Sequence, residues 1–130
     1  MSDLPCPSAV VFVHDLHHVT RFYRALASMD VVHEDDVHVV LGLAGFELVV
    51  HLLRNEPPVV LDERGLPPVR EDCYLKVCLP VASIAAARDV AVANGGRILP
   101  PEREWESRGV RACEGWDPEG NVLQVRQASQ

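Results

Sequence analysis

The sequence predicts a single α+β domain, residues 1–130, made of two copies of a strand–helix–three-strand (βαβββ) unit. Three observations lead to this fold class. Each half begins with an apolar run followed by a segment with helical periodicity. Short strand-like runs separated by turn residues follow each of these segments. The order of elements repeats along the chain, and one unit alone would leave a sheet face bare, so two must pack together.

The first unit, residues 7–53, opens with a predicted strand over Ala9–Val13. Apolar residues then recur at helical spacing from Leu16 to Leu26, and Asp15 precedes them as an expected N-cap, so we predict an amphipathic helix. Three further strands are predicted, with turns at Asp35–Asp36 and Ala44–Gly45 between them: Val31–Glu34, Val37–Leu43 and Phe46–Leu52.

Residues 54–72 hold four of the ten prolines and lack clean periodicity. We interpret them as a connector that carries a short strand or lies over an opening.

The second unit, residues 73–130, repeats the order of the first. Ser83 is the expected N-cap of its helix, Ser83–Asn94, and Gly95–Gly96 ends that helix. We predict a polar loop over residues 100–107 and a turn at Asp117–Asn121, where Pro118 presets φ and Gly120 permits a positive φ. The predicted strands of this unit are Tyr74–Pro80, Arg97–Leu99, Gly109–Glu114 and Val122–Gln127.

Composition limits the classes of partner. Hydrophobic residues make up 48% of the chain, enough for a core, and the formal net charge is −7. An acidic surface repels phosphate backbones, so we expect no nucleic-acid partner. The first residues lack a basic, apolar leader pattern, and no apolar run approaches the ~20 residues of a membrane span. We therefore expect a cytoplasmic protein that does not contact membranes and keeps its four cysteines as free thiols.

The chain resembles the vicinal-oxygen-chelate superfamily, which includes glyoxalase I, bleomycin- and fosfomycin-resistance proteins and extradiol dioxygenases. The resemblance rests on VVFVHDLHHVTRFYRAL in the first half, and on SIAAARDVAVANGG and GWDPEGNVLQVRQ in the second. It implies that the two units form an open, funnel-like mixed sheet with the helices on the outside. It also implies a hollow that usually holds a divalent metal, and a homodimer.

The resemblance maps the four metal-ligand positions of the family onto Ser8, Glu47, Lys76 and Gln124. Glu47 is a good ligand and Gln124 a weak one, whereas Ser8 is poor and the Lys76 ammonium has no lone pair at neutral pH. A catalytic zinc usually needs three protein ligands. We therefore expect no metal cofactor; if Zn, Fe, Mn or Ni does bind, Glu47 and Gln124 are the expected ligands.

The sequence suggests two places for the Lys76 side chain. Its ammonium could occupy the usual metal position and pair with Glu47, or it could point outward into solvent, because a shift of one residue turns a strand side chain to the opposite face.

Other side chains are candidates for lining the hollow. Trp105 either shields one wall of a pocket or fills the core edge, and Arg108 follows it in the same loop. Cys78, two residues after Lys76 in the same predicted strand, is expected to be a small buried hydrophobe. The predicted ligand-binding residues are Ser8, Glu47, Lys76, Cys78, Trp105, Arg108 and Gln124.

The histidines give no clear metal site in the sequence. The cluster of His14, Asp15, His17 and His18 is interpreted as a solvated helix cap and first turn. His33 and His38 flank an acidic turn and are expected on the surface. His51 lies ~13 Å along its strand from Glu47, too far to share an ion with it, so we place it at the rim.

The favoured hypothesis is a binding protein that sequesters or senses a small organic ligand without the usual metal. The alternative is a metal-dependent lyase, isomerase or dioxygenase of the glyoxalase type with an atypical ligand set around Glu47. A metal-free enzyme with Lys76 or Glu47 as acid or base is a third hypothesis.

Overall fold

The computed structural model describes residues 4–54 and 57–129. Residues 55–56 of the predicted connector lie outside this range. The first unit contains β1 (Ser8–Val13), α1 (Leu16–Ala27), β2 (Asp30–Glu34), β3 (His38–Leu43) and β4 (Phe46–Leu52). The second unit contains β5 (Val77–Pro80), α2 (Ile84–Ala93), β6 (Arg97–Ile98), β7 (Trp105–Ser107), β8 (Val110–Trp116) and β9 (Val122–Ala128).

The strands form two sheets, one for each unit. The first sheet has the order β1-β4-β3-β2, and the second has the order β5-β9-β8-β6 with β7 paired to β8. The first strand of each unit runs parallel to the last, and the other pairs are antiparallel. The predicted α+β class with two βαβββ units is therefore confirmed.

Both helices begin where the sequence predicts. The Asp15 carboxylate accepts a hydrogen bond of 3.0 Å from the backbone N–H of His18, and Ser83 accepts one of 3.1 Å from Ala86. Each bond satisfies an N–H that the first helical turn leaves without a backbone partner. The predicted N-caps are thus confirmed.

Each helix covers one face of its own sheet. Leu16, Val19 and Phe22 of α1 are buried in one cluster with Leu41 and Leu48 of the first sheet. The same cluster takes in α2 and the second sheet through Ile84, Ala87, Leu79, Leu123 and Val125. Because strand side chains alternate, this packing leaves the opposite face of each sheet uncovered by a helix. We call these the open faces.

Two strand predictions differ from the structure. Residues 100–107, predicted as a polar loop, contain a short 3₁₀ turn at Pro101–Arg103 and strand β7. β7 forms because a two-residue turn at Arg108–Gly109 pairs it with β8. Its residues are mostly polar and show no apolar alternation, so the sequence did not indicate a strand there. The strand predicted over Tyr74–Pro80 begins at Val77, which pairs with Leu123 near the start of β9.

The turn at Asp117–Asn121 joins the two halves. The Glu119 carboxylate accepts hydrogen bonds of 2.8 Å from the backbone N–H of His14 and 2.7 Å from that of Asp15. The Tyr23 hydroxyl donates to the buried Asp117 carboxylate at 2.9 Å. Burial raises the pKa values of both Tyr23 and Asp117, and each remains hydrogen-bonded. The second half thereby contacts the start and the core face of α1.

The described part of the connector, residue 54 and residues 57–72, contains no helix or strand. It runs past the same turn, where the Arg70 N–H donates to the Gly120 carbonyl at 2.9 Å. Gly120 has a φ of +84°, and a Cβ there would collide with the backbone of Pro68. No helix in the described part of the chain has the length and apolar character needed to cross a membrane.

Candidate functional site

The open face of the second sheet carries most of the polar side chains that sequence reasoning placed in the hollow. Gln124 of β9 lies between Cys78 on β5 and Glu114 on β8, its two Cα partners in the sheet. Arg126, two residues further along β9, points to the same face and pairs with Ala112.

A chain of charged and polar groups crosses this face. The Lys76 ammonium lies 2.9 Å from Glu114 Oε1. Gln124 donates its amide N–H to that oxygen at 3.3 Å and accepts from Arg126 Nε at 2.6 Å. Within the described residues, the buried Glu114 Oε2 has no hydrogen-bond partner. Both ends of the Gln124 amide are thus engaged, which orients the Arg126 guanidinium.

A cleft of about 440 Å³ opens at one end of this face, and we call it the Trp105 cleft. One wall comes from the β7–β8 hairpin, and the floor comes from β8 and β9. Its lining residues are Trp105, Ser107, Arg108, Val110, Ala112, Gln124 and Arg126. Among the described residues, two guanidinium groups and no carboxylate line it, so its field is positive in a chain whose net charge is −7.

Ion pairs on the other side of β7 hold the Trp105 wall in place. Glu104, directly before Trp105, accepts from Arg88 of α2 at 2.6 Å and from Arg111 of β8 at 3.2 Å. The hydrogen bond from Arg88 has the largest effect on the pKa of Glu104, and together with Arg111 it holds that pKa below its usual range. The Glu104 carboxylate faces α2 while the Trp105 indole faces the cleft, because consecutive residues of an extended segment point in opposite directions.

Arg108 sits at the tip of this hairpin in a conformation that side chains rarely adopt. Its φ is +54° and that of Gly109 is +78°, while Ser107 and Val110 on either side are paired. Positive φ at both central residues defines a type I′ turn, whose backbone twist matches the twist of the two strands that it connects. The turn places the Arg108 side chain at the mouth of the cleft.

A second cleft, of about 640 Å³, lies between the first strands of the two units. We call it the inter-strand cleft. Its polar lining includes Ser8 and Lys76, and Phe12, Phe46 and Cys78 contribute apolar surface. Cys78 is adjacent to Gln124 in the sheet, so the two clefts adjoin along β5 and β9.

Comparison with known proteins is consistent with this architecture and decides the family. A family model described as a glyoxalase-like domain matches residues 8–126. The chain belongs to the glyoxalase-like family. None of the curated proteins matches the sequence of this glyoxalase-like protein.

Three solved structures illustrate the shared fold. A glyoxalase/bleomycin resistance protein from Albidiferax ferrireducens is 18% identical with a TM-score of 0.64, over 93% of this chain and 96% of that one. A glyoxalase/bleomycin resistance protein/dioxygenase family enzyme from Burkholderia phytofirmans is 12% identical, with a TM-score of 0.67 and the same coverage of both chains. A fosfomycin resistance protein from Mesorhizobium loti is 11% identical with a TM-score of 0.65, over 99% of this chain and 95% of that one. At these identities the likeness concerns the fold.

The structure divides the predicted ligand-binding residues of this glyoxalase-like chain between the two clefts. Trp105, Arg108 and Gln124 line the Trp105 cleft. Ser8, Lys76 and Cys78 line the inter-strand cleft. Glu47 lines neither of them; it pairs with Ser8 on the open face of the first sheet.

Of the two placements considered for Lys76, the ion pair with Glu47 is not what the structure shows. Lys76 contacts Glu114 in its own sheet, whereas Glu47 belongs to the first sheet. The pairing register explains the difference: Cys78, two residues after Lys76, holds the place opposite Gln124 that Ser8 holds opposite Glu47. A shift of two residues keeps the side chain on the same face but moves it along the sheet.

The donor set at the positions that the resemblance maps to a metal does not fit a divalent ion. Lys76 is a cation engaged with Glu114, and Gln124 uses both ends of its amide within the sheet. If Cys78 replaces Lys76 by register, the set becomes one hydroxyl, one carboxylate, one thiol and one engaged amide. Neither combination offers the three anionic or imidazole ligands that a catalytic zinc or iron site uses.

Sequence reasoning missed Glu114 and Arg126. Both were assigned to strands, and alternation places Arg126 on the face of Gln124, so this signal was present in the sequence. Glu114 could be placed opposite Gln124 only once the β8–β9 register was known.

The interpretation of His14 as part of a solvated cap was also wrong. Its side chain is mostly buried, and Nδ1 lies 3.0 Å from Glu119 Oε1. The burial comes from the turn of the second half, which packs on the start of α1 from more than a hundred residues away in sequence. His17 is exposed, as expected.

Proposed function

We propose that this glyoxalase-like protein binds a small organic anion in the Trp105 cleft, without the divalent metal associated with the fold. The supporting observation is the pair of guanidinium groups, Arg108 and Arg126, beside an indole wall and with no carboxylate among the lining residues. Guanidinium groups bind carboxylates and phosphonates through two parallel N–H donors, and an aromatic face accommodates a flat apolar group.

The dimensions and preorganisation of the cleft support the proposal. A volume of about 440 Å³ falls in the range of small-molecule pockets. Gln124 already accepts from Arg126 Nε at 2.6 Å, which leaves the terminal nitrogens of that guanidinium for a ligand. A group that is oriented before binding loses less side-chain entropy on binding.

The charge requirement can be tested with isosteric probes. Phenylphosphonate and benzoate carry an anion on an aromatic ring, whereas benzamide keeps the shape without the charge. We expect calorimetry to show binding of the two anions at least tenfold tighter than that of benzamide, since each charge-assisted contact contributes about 1.5–3 kcal/mol. Fosfomycin, the small phosphonate in the name of the Mesorhizobium loti resistance protein, is a further probe.

Variants locate the binding site. Arg126→Gln should weaken phenylphosphonate binding at least tenfold, and Trp105→Ala should remove the ligand-induced change in tryptophan fluorescence. Arg64→Gln is the matched control, because Arg64 is exposed and pairs with Asp62 in the connector, outside the lining of the cleft. Equal binding of benzamide and benzoate, or full affinity in Arg126→Gln, would refute the proposal.

We also propose that two copies of the chain pair in solution, as the resemblance to the superfamily implies. The open face of the first sheet supports this, because Val10 and Phe12 are each 50% exposed there and lie beside Val49 and other apolar residues. Sedimentation at micromolar concentration should show a dimer, and Phe12→Asp should shift it to monomer. Val92→Asp, an exposed apolar residue of α2, should leave the assembly unchanged.

A further inference from the structure

The turn between β2 and β3 gathers two imidazoles around one carboxylate. His33 Nε2 lies 3.1 Å from Asp35 Oδ2, and His38 Nδ1 lies 3.0 Å from Asp35 Oδ1. One ligand atom from each of the three residues lies within 4.8 Å of the other two. We call His33, Asp35 and His38 the hairpin cluster; among the described residues it is the one such group of three.

An irregularity in the strand pairing brings the two imidazoles to one face. Val31 pairs with Leu41 and His33 pairs with Val40, so β2 has a bulge at Val32. With regular pairing, His33 would lie opposite Val39 and face the core. The bulge instead turns His33 to the open face of the first sheet, where His38 also points.

The carboxylate of the cluster is held in place by the turn. Asp35 Oδ1 accepts hydrogen bonds of 2.9 Å from the backbone N–H groups of Val37 and His38. The His33 and His38 rings contact the same carboxylate from two sides, so its orientation is fixed by the turn and by both imidazoles. An ionised carboxylate of fixed orientation is a ligand that requires little reorganisation.

Contacts with neighbouring rings hold the His38 imidazole in position. The His38 ring lies between His33, at a centroid distance of 5.0 Å, and His51, which stacks on it at 5.7 Å. His51 is also the cross-strand partner of His38, and its other neighbour is Phe12 at 5.6 Å. These contacts restrict the His38 ring before any ligand arrives.

We propose that the hairpin cluster binds one borderline divalent ion, such as Zn²⁺, Co²⁺ or Ni²⁺, through His33, Asp35 and His38. Neutral imidazole and carboxylate are the ligands that these ions prefer. Ligand atoms 2.0–2.1 Å from a tetrahedral ion are about 3.3 Å apart, close to the present N···O distances. The ring nitrogens now facing Asp35 would bind the ion, and each neutral ring would keep its proton on the other nitrogen.

This site differs from the metal site that the fold suggests. It uses a turn and a bulged strand of the first unit, and none of the positions mapped by the resemblance belongs to it. Three protein ligands on the surface leave at least one coordination position for water or an anion. The proposal does not depend on the Trp105 cleft, so failure of one leaves the other standing.

The test uses the full-length, untagged protein and metal salts alone. Calorimetry with ZnCl₂ should give one ion per chain, and Co²⁺ should give the visible absorption bands of a four- or five-coordinate ion with nitrogen and oxygen ligands. His33→Ala and His38→Ala should each lower Zn²⁺ affinity at least tenfold. Asp35→Asn should do the same, while its amide oxygen can still accept from the Val37 N–H and preserve the turn.

His17→Ala is the matched control, since His17 is exposed on α1 and belongs to no such cluster in the part of the chain that the structure describes. It should bind Zn²⁺ like the unaltered chain. The proposal is overturned if the unaltered chain takes up no Zn²⁺ at 100 µM, or if Zn²⁺ binding survives at full affinity in the three cluster variants. Because Cys73 is exposed, binding that disappears only in Cys73→Ser would also overturn it.

Discussion

Arg108 illustrates, at the scale of one residue, how a backbone preference can conflict with a ligand contact. A left-handed conformation costs an ordinary L-residue roughly 1–2 kcal/mol, and Asn tolerates it better than Arg. Asn-Gly is the preferred pair for a type I′ turn, yet this turn carries Arg-Gly. A second type I′ hairpin, at Ala44–Gly45, has φ values of +50° and +79° and lines neither cleft.

Arg108→Asn should therefore raise the free energy of unfolding by about 1 kcal/mol while weakening phenylphosphonate binding several-fold. Ala44→Asn makes the matching change in the first hairpin and should give the same stability gain with unchanged binding. Urea unfolding and calorimetry on both variants measure the two effects. If Arg108→Asn binds the anion as tightly as the unaltered chain, Arg108 is not a ligand contact.

At the scale of the element, the β7–β8 hairpin depends on charge pairs rather than apolar packing for its position. Glu104 is 12% exposed and contacts both Arg88 and Arg111, whereas Glu106, two residues later, is 55% exposed and contacts Arg111 alone. Partly buried charged hydrogen bonds stabilise more than exposed pairs, which contribute about 0.2–1 kcal/mol. The contacts of Glu104 with Arg88 and Arg111 therefore contribute more to the position of Trp105 than the contact of Glu106 does.

Glu104→Gln should lower the free energy of unfolding by about 1–3 kcal/mol at pH 7, and Glu106→Gln by less than about 0.5 kcal/mol. The pKa of Glu104 is lowered in the folded state, so its stabilising contribution is complete above the unfolded value of about 4.3. The contribution is lost as pH falls through the folded value. Urea unfolding from pH 7 to pH 3 should show the difference between the unaltered chain and Glu104→Gln shrinking with acidity; a constant difference would contradict the ion-pair assignment.

At the scale of the whole molecule, Glu119 connects the halves, and the shared apolar cluster does the same. The carboxylate of Glu119 is buried and receives the N–H groups of His14 and Asp15, which begin the first unit's helix. Both tryptophans lie in the second unit, so their fluorescence reports that unit, while far-UV circular dichroism reports both helices. Two halves that share one core should unfold together.

We expect the fluorescence and circular dichroism transitions in urea to coincide. Glu119→Gln should lower both midpoints together and reduce the free energy of unfolding by about 2–3 kcal/mol, because the side-chain NH₂ of Gln would face the backbone N–H groups that now donate to the carboxylate. Glu102→Gln, at an exposed position of the 3₁₀ turn, should leave both unchanged. Two separated transitions in the unaltered chain would show that the halves fold independently.

The elements and their order followed from local information in the sequence. Alternating apolar runs, the caps at Asp15 and Ser83 and the turns at Ala44–Gly45 and Asp117–Asn121 act over a few residues, so the α+β class could be predicted without neighbours. β7 escaped prediction because its strand character comes from pairing with β8 rather than from its own apolar pattern.

The residues of the candidate site depended on register, which no local pattern specifies. Whether Lys76 meets Glu47 or Glu114, and whether Cys78 or Lys76 lies opposite Gln124, is decided by hydrogen bonds between strands far apart in sequence. The same holds for the bulge at Val32, which moves His33 to the face of His38. The sequence by itself determined the two βαβββ units and the poor donor set at the metal positions; the tertiary structure decided which side chains meet, because a shift of one or two residues in pairing changes every neighbour.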